Sequence, residues 1–269
     1  MKKLFLSSSF RYTWNDLKNW NESALKTGHE AHNILLNSTE NEVDSFRGKE
    51  VHLACYNVEL NNSPPWNPHG PPHHKRFLVQ YKYLMSLKND YDMVVVTDSR
   101  DVLFTRDPFP VISDLMKDSG KKIVCGSECI LYKDEHWGRG NLASGYPYVY
   151  EEYKNQEICN VGVLCGDVEA VAELCLLIYT MCNHNPALVS DQSSFNILMG
   201  TEMMKNKIHA SRPNEGLMVH LGTVGVVDFK EKLTWKPTWK SEEIPNIDGN
   251  LIPIVHQYDR VDTSKWGVL

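Results

Sequence analysis

Asp92-Met-Val-Val-Val-Thr-Asp-Ser-Arg-Asp101 is the stretch whose reading decides the fold. Met93 to Thr97 is a short, mostly β-branched apolar run, which reads as a buried strand. Such a strand delivers Asp98 and Asp101 to the end of a parallel sheet, where ligands normally bind. Two hard oxygen ligands three positions apart on a tight turn can converge on a divalent cation and leave its remaining sites to water and phosphates. An Asp at a strand end is also a common turn former. Arg100, between the two carboxylates, adds a planar cationic fork that can pair with one of them or approach phosphate.

Outward from this strand, short aliphatic runs alternate with longer helical patterns. Lys3 to Ser7, Val51 to Cys55, Ile123 to Cys125, Val161 to Cys165, Lys207 to Ala210, Leu217 to His220 and Ile252 to His256 read as further strands. Lys75 to Leu87 carries Phe77, Leu78, Tyr81, Leu84 and Met85 at the spacing of an amphipathic helix. Asp167 to Met181 is another, with Asp167 as its N-cap. The alternation implies an α/β fold with a mostly parallel central sheet flanked by helices. Asn61 to His74 holds five prolines and three histidines and is expected to be a loop or boundary. Glu135 to Tyr153, rich in Gly, Tyr and Trp, is expected to be a loop whose aromatics either pack or stack on a sugar face.

The 269 residues are expected to form one domain, 1–269, with 42% hydrophobic and 23% charged residues placing the chain in the ordinary globular range. A net charge of −6 lacks the basic footprint of phosphate-backbone binding, so nucleic acid is not an expected partner. Met1 to Phe10 is too short in apolar residues for a signal segment, and no apolar run approaches a membrane span. A cytoplasmic location is the resulting expectation. Seven cysteines at irregular spacing suit reduced, buried thiols better than a disulfide framework. Cys125, Cys129, Cys159 and Cys165 could form a zinc site, but their spacings lack the usual paired knuckles.

The apolar strand ending at His256 would bring an imidazole to the same sheet edge as Asp98. His220 also follows an apolar strand, so the two histidines could exchange roles as a metal ligand; a borderline nitrogen donor from either suits Mn²⁺. Ser190 is placed as the N-cap of a helix whose first turn contains Asp191.

Thr97-Asp-Ser-Arg-Asp-Val-Leu-Phe104 resembles the metal-binding D-x-x-D signature of GT-A glycosyltransferases and is similar to the glycosyltransferase domain of the collagen lysyl hydroxylase family. Cys159-Asn-Val-Gly-Val-Leu-Cys-Gly166, Asp191-Gln192 and Ile254-Val-His-Gln-Tyr-Asp-Arg260 resemble further motifs in that family's order. Val161 and the Gln-Tyr-Asp after His256 depart from its pattern. The resemblance implies a GT-A, Rossmann-like fold and transfer of a sugar from a nucleotide diphosphate donor, UDP first, to a glycan or glycoprotein acceptor. It implies Mn²⁺ or Mg²⁺ held by Asp98, Asp101 and His256, and donor binding by Asp98, Ser99, Arg100 and Asp101. It also implies a catalytic group of Asn160, Asp191 and Gln192. A Mg²⁺-dependent phosphohydrolase and a non-catalytic carbohydrate-binding relative are the competing expectations. Thiol titration of the denatured, unreduced protein should find all seven cysteines free; a mass consistent with two or more disulfides contradicts this.

Overall fold

The computed structural model describes residues 2–58, 71–183, 185, 187, 189–240 and 243–266. In chain order the strands are β1 (Lys3–Phe10), β2 (Glu30–Leu36), β3 (His52–Tyr56), β4 (Met93–Thr97), β5 (Val102–Phe104) and β6 (Ile123–Leu131). They continue with β7 (Glu157–Asp167), β8 (Ile208–Ser211), β9 (Met218–His220), β10 (Asn246–Ile247), β11 (Asn250–Leu251) and β12 (Ile254–His256). The helices are α1 (Trp14–Leu25), α2 (Glu40–Asp44), α3 (Pro71–Leu87), α4 (Phe109–Ser119), α5 (His136–Gly145), α6 (Tyr150–Tyr153), α7 (Val168–Cys182), α8 (Asp191–Gly200) and α9 (Leu221–Val224).

Seven strands form the central sheet in the order β3-β2-β1-β4-β7-β6-β8, and β7 alone runs against the others. The chain is therefore α/β with a mostly parallel mixed sheet, an arrangement compatible with a Rossmann-like fold. The reversal of strand order lies between β1 and β4, so a crevice opens at their carboxyl ends. One face of the sheet packs on α3 and α7 through Leu4, Leu6, Val94, Val96 and Leu164. The other packs on α1 and α4 through Phe5, Val95, Val163 and Val124. This two-sided burial is why Met93–Val96 is apolar throughout, with Thr97 buried as well at the strand's end.

A second sheet, β5-β12-β9, sets β12 antiparallel to β5 and parallel to β9. Among the described residues no helix is long and apolar enough to cross a membrane.

Several elements differ from the sequence reading. β2 was absent from it because His32 and Asn33 break the apolar pattern. Both are buried and partnered, Nδ1 of His32 with the Tyr83 hydroxyl at 3.0 Å and Oδ1 of Asn33 with the Ser9 hydroxyl at 3.2 Å. Of the stretch expected as a loop up to His74, residues 61–70, including His69, lie outside the described residues. The rest is helical: Pro71 and Pro72 open α3, in the first turn where the missing N–H costs nothing. The stretch Glu135 to Tyr153 is not a loop but holds α5 and α6. The Glu135 carboxylate caps α5 by accepting the backbone N–H of Trp137 at 2.9 Å and that of Gly138. Asp167 caps α7 as expected, accepting from the Ala170 N–H at 2.9 Å. The four candidate zinc cysteines are divided among three separate clusters, with Cys125 and Cys159 in one, Cys165 in a second and Cys129 in a third. Among the described residues these cysteines form no group of converging metal-ligand atoms, and all seven cysteines are free thiols.

α1 is tied to the end of β4 by the buried Trp20 indole, which donates to the Thr97 hydroxyl at 2.7 Å. Trp20→Phe would strand that buried hydroxyl beside a smaller ring. Urea unfolding should show a loss of about 1–3 kcal/mol or more.

Candidate metal centre and its cavity

A cavity of about 890 Å³ opens at the carboxyl ends of β1 and β4. Asp98, Ser99, Arg100, Asp101, Asn160, Asp191, Gln192 and His256 all line it, so every site residue expected from sequence reaches one place.

Local geometry explains why. The Asp98 N–H donates to the Gly162 carbonyl at 2.8 Å, which locks the end of β4 onto β7. A Cβ at Gly162 would stand 2.6 Å from Asp98 Oδ2, 2.6 Å from His256 Cε1 and 2.9 Å from Asn160 Oδ1. Glycine at 162 is thus a steric requirement of the cluster. β5 follows Asp101 directly and pairs with β12, placing Val102 opposite His256. After His256 the chain turns through Gln257, whose φ of 60° is left-handed and whose N–H donates to the Asp101 carbonyl at 2.6 Å. Its side-chain carbonyl accepts from the Gly222 N–H at 3.0 Å, which holds this strained turn in place.

Asp98, Asp101 and His256 offer ligand atoms within 4.8 Å of one another. His256 Nε2 lies 3.6 Å from Asp98 Oδ2 and 3.7 Å from Asp101 Oδ1. It is buried and has no hydrogen-bond partner among the described residues. An orphaned imidazole nitrogen facing two carboxylates is a donor set that fits a divalent cation. Position distinguishes the two histidines: His220 sits behind His256, with the two Nδ1 atoms 2.9 Å apart, and is not among the residues lining the cavity.

The titration behaviour follows from this crowding. Burial would raise the Asp98 carboxyl, but the charge of Arg76 and contact with His256 hold it well below the usual carboxylate range. Burial raises Asp101, His256 pulls it down, and the adjacent Asp98 pushes it up again, for a net rise. Burial opposes protonation of His256, and Asp98 with Asp101 outweighs it, so its affinity for protons is raised.

Two cavity residues escaped the sequence reading. Arg76, on α3, donates through one terminal nitrogen to Asp98 Oδ1 and through the other to Asp191 Oδ2 at 3.1 Å. It spans the two carboxylates from within the expected helix Lys75 to Leu87, whose pattern does not show which partners a polar residue on it will meet. Because it takes Oδ1 of Asp98, Oδ2 remains for the His256 side. Glu128 is buried on β6, and its carboxylate accepts from the Asn160 amide at 2.8 Å and from Gln192. β6 shifts register between Ser127 and Leu131, and Cys129 there has a left-handed φ of 55°. This bulge occurs where β6 carries Glu128 into the cavity.

Of the two expectations for Arg100, pairing with Asp98 or Asp101 is not met: it pairs with Asp259 at 3.3 Å, and the approach to phosphate stays open. Ser190 occupies the cap position of α8, but its side chain does not cap; the hydroxyl turns to His74 Nε2 at 3.2 Å, and Oδ1 of Asp191 accepts the Gln192 N–H at 3.0 Å.

No model of a known protein family matches the chain, and no curated protein matches it.

Burial drives the Glu128 carboxyl up to about 7. An acid raised on folding binds more protons when native, so its contribution is intact below its unfolded value near 4.5 and is lost as pH climbs from there to about 7. Glu128→Gln should therefore gain stability relative to the parent across that window, reaching roughly 3 kcal/mol by pH 8 in urea titrations without added metal.

Proposed function

We propose that this protein is a metal-dependent glycosyltransferase of the GT-A type, moving a sugar from a nucleotide diphosphate donor, UDP first among them, to a glycan or glycoprotein acceptor. The observation that carries this reading is the single cavity at the β1/β4 switch point, which joins the Asp98, Asp101 and His256 cluster to Asn160, Asp191 and Gln192. The motif resemblance agrees with it, since its four segments are far apart in the chain and meet in this one cavity.

The cavity divides into regions with different chemistry. Ser8, Ser9, Phe10, Tyr12 and Leu36 form a wall of hydroxyl and ring surface suited to a nucleoside. Ser99 and Arg100 flank the carboxylate pair, where the diphosphate would lie. A bound Mn²⁺ or Mg²⁺, held by Asp98, Asp101 and His256, would neutralise the charge that builds on a departing nucleoside diphosphate. Asp191 and Gln192, at the start of α8, and Asn160, anchored by Glu128 and by the Gly162 N–H at 2.7 Å, present polar atoms to a sugar ring. Trp137, half exposed in the lining of the same cavity, offers an aromatic face to the acceptor side.

The test separates the two carboxylates. Asp101→Asn should reduce both UDP affinity and turnover, together by roughly 100-fold or more in kcat/KM, because several kcal/mol of charge neutralisation depend on the cation. Asp191→Asn should lower kcat more than UDP affinity, since it faces the region where oxocarbenium character develops. Equal UDP affinity with EDTA and with Mn²⁺ in calorimetry would sink the reading. Phosphate release from phosphomonoesters, without UDP release from UDP-sugars, would replace it with a phosphohydrolase.

A further inference from the structure

His256 and His220 end the adjacent parallel strands β12 and β9 in direct register. Paired residues in parallel strands project to the same face, so the two rings meet, nearly perpendicular at 82°, with 2.9 Å between their Nδ1 atoms. A hydrogen bond between two imidazole nitrogens requires a proton on one and a bare lone pair on the other. The pair therefore has a direction.

The cavity side sets that direction. A histidine nitrogen that ligates a cation must be bare, and a neutral imidazole with bare Nε2 carries its proton on Nδ1. His256 Nε2 is the atom that faces Asp98 and Asp101. Its Nδ1–H must then be donated, and His220 Nδ1 is the acceptor within reach. His220 in turn keeps its own proton on Nε2, which is buried against β6. A Cβ at Gly126 would lie 2.2 Å from that nitrogen, so glycine at 126 makes the room for this ring.

We propose that His220 is a positioning residue for the cation site: its bare Nδ1 accepts the Nδ1–H of His256, fixing both the ring orientation and the tautomer that turns Nε2 of His256 toward Asp98 and Asp101. The proposal rests on the cation reading of that cluster, and it goes beyond it by assigning a role to a side chain that never touches the ligand. Hydrogen-bonded partners of ligating histidines orient the ring and raise its basicity, and their loss typically weakens metal binding 10- to 100-fold.

The experiment measures Mn²⁺ binding to the full chain by calorimetry and by electron paramagnetic resonance, without nucleotide. His220→Leu removes the acceptor at similar volume, and His220→Gln keeps a carbonyl acceptor. The Leu variant should bind Mn²⁺ about 10- to 100-fold more weakly, and the Gln variant should recover most of that loss. A purely structural role would not distinguish the two by acceptor chemistry. If the unaltered protein binds no Mn²⁺, the cation reading falls and takes the proposal with it; if it binds Mn²⁺ and a folded His220→Leu binds equally well, the proposal alone falls. Should the Leu variant fail to fold, ¹⁵N NMR of the histidine side chains in the unaltered protein saturated with Mg²⁺, a diamagnetic cation, decides the matter. A bare Nδ1 and protonated Nε2 on His220 are expected, and a proton on its Nδ1 overturns the assignment.

Discussion

Two carboxylates carried into a partly enclosed cavity cannot stand side by side uncompensated. Like charges about 4 Å apart repel by about 4 kcal/mol at the effective dielectric of a protein surface, and burial adds the cost of lost hydration. Asp98 and Asp101 are placed in that position by β4 and the turn after it. Arg76 meets part of the demand from α3, and His256 meets part from β12. Arg76 also reaches Asp191, so the charge balance of the cation cluster and that of α8 are one problem, solved by one guanidinium. The raised proton affinity of His256 and the depressed carboxyl of Asp98 are two faces of the same crowding.

Meeting that demand depends on close backbone approach. Gly162 lets β7 pass directly beneath Asp98, His256 and Asn160, and Gly126 lets β6 pass against His220. Where the approach needs a bend rather than a gap, non-glycine residues accept left-handed backbone, Cys129 after Glu128 and Gln257 after His256. Each is held by specific bonds: the Cys129 N–H to the Ser127 hydroxyl at 2.9 Å, and the Gln257 N–H to the Asp101 carbonyl at 2.6 Å. Local strain is thus concentrated beside the residues that face the cavity, as expected where surrounding structure over-determines a conformation.

The cavity also separates two kinds of acid. Asp98 is kept ionised by a neighbouring guanidinium, whereas Glu128 has amide donors and no cation bonded to it among the described residues, and is raised to about 7. One end therefore holds permanent negative charge and the other can carry a proton near neutrality, a division that polar sites achieve through environment rather than residue type.

Much of this was legible in the sequence. The apolar run Met93–Thr97 ending in Asp98 named the central strand to the residue, and the alternation of runs and periodic segments named an α/β class with a mostly parallel sheet. Those features are local: burial on both faces leaves an unbroken apolar signature, and a helix leaves a 3.6-residue period. β2 was hidden because its buried His32 and Asn33 are stabilised by Tyr83 and Ser9, partners distant in the chain. Arg76 and Glu128 were hidden for the same reason, since neither an Arg on an amphipathic helix nor a Glu in a cysteine-flanked strand announces which carboxylate or amide it will meet. Only the pairing of β12 with both β5 and β9 decided that His256 faces Asp98 and Asp101 while His220 stands behind it. Strand-end histidines look alike in one dimension; sheet register, a long-range property, separates them.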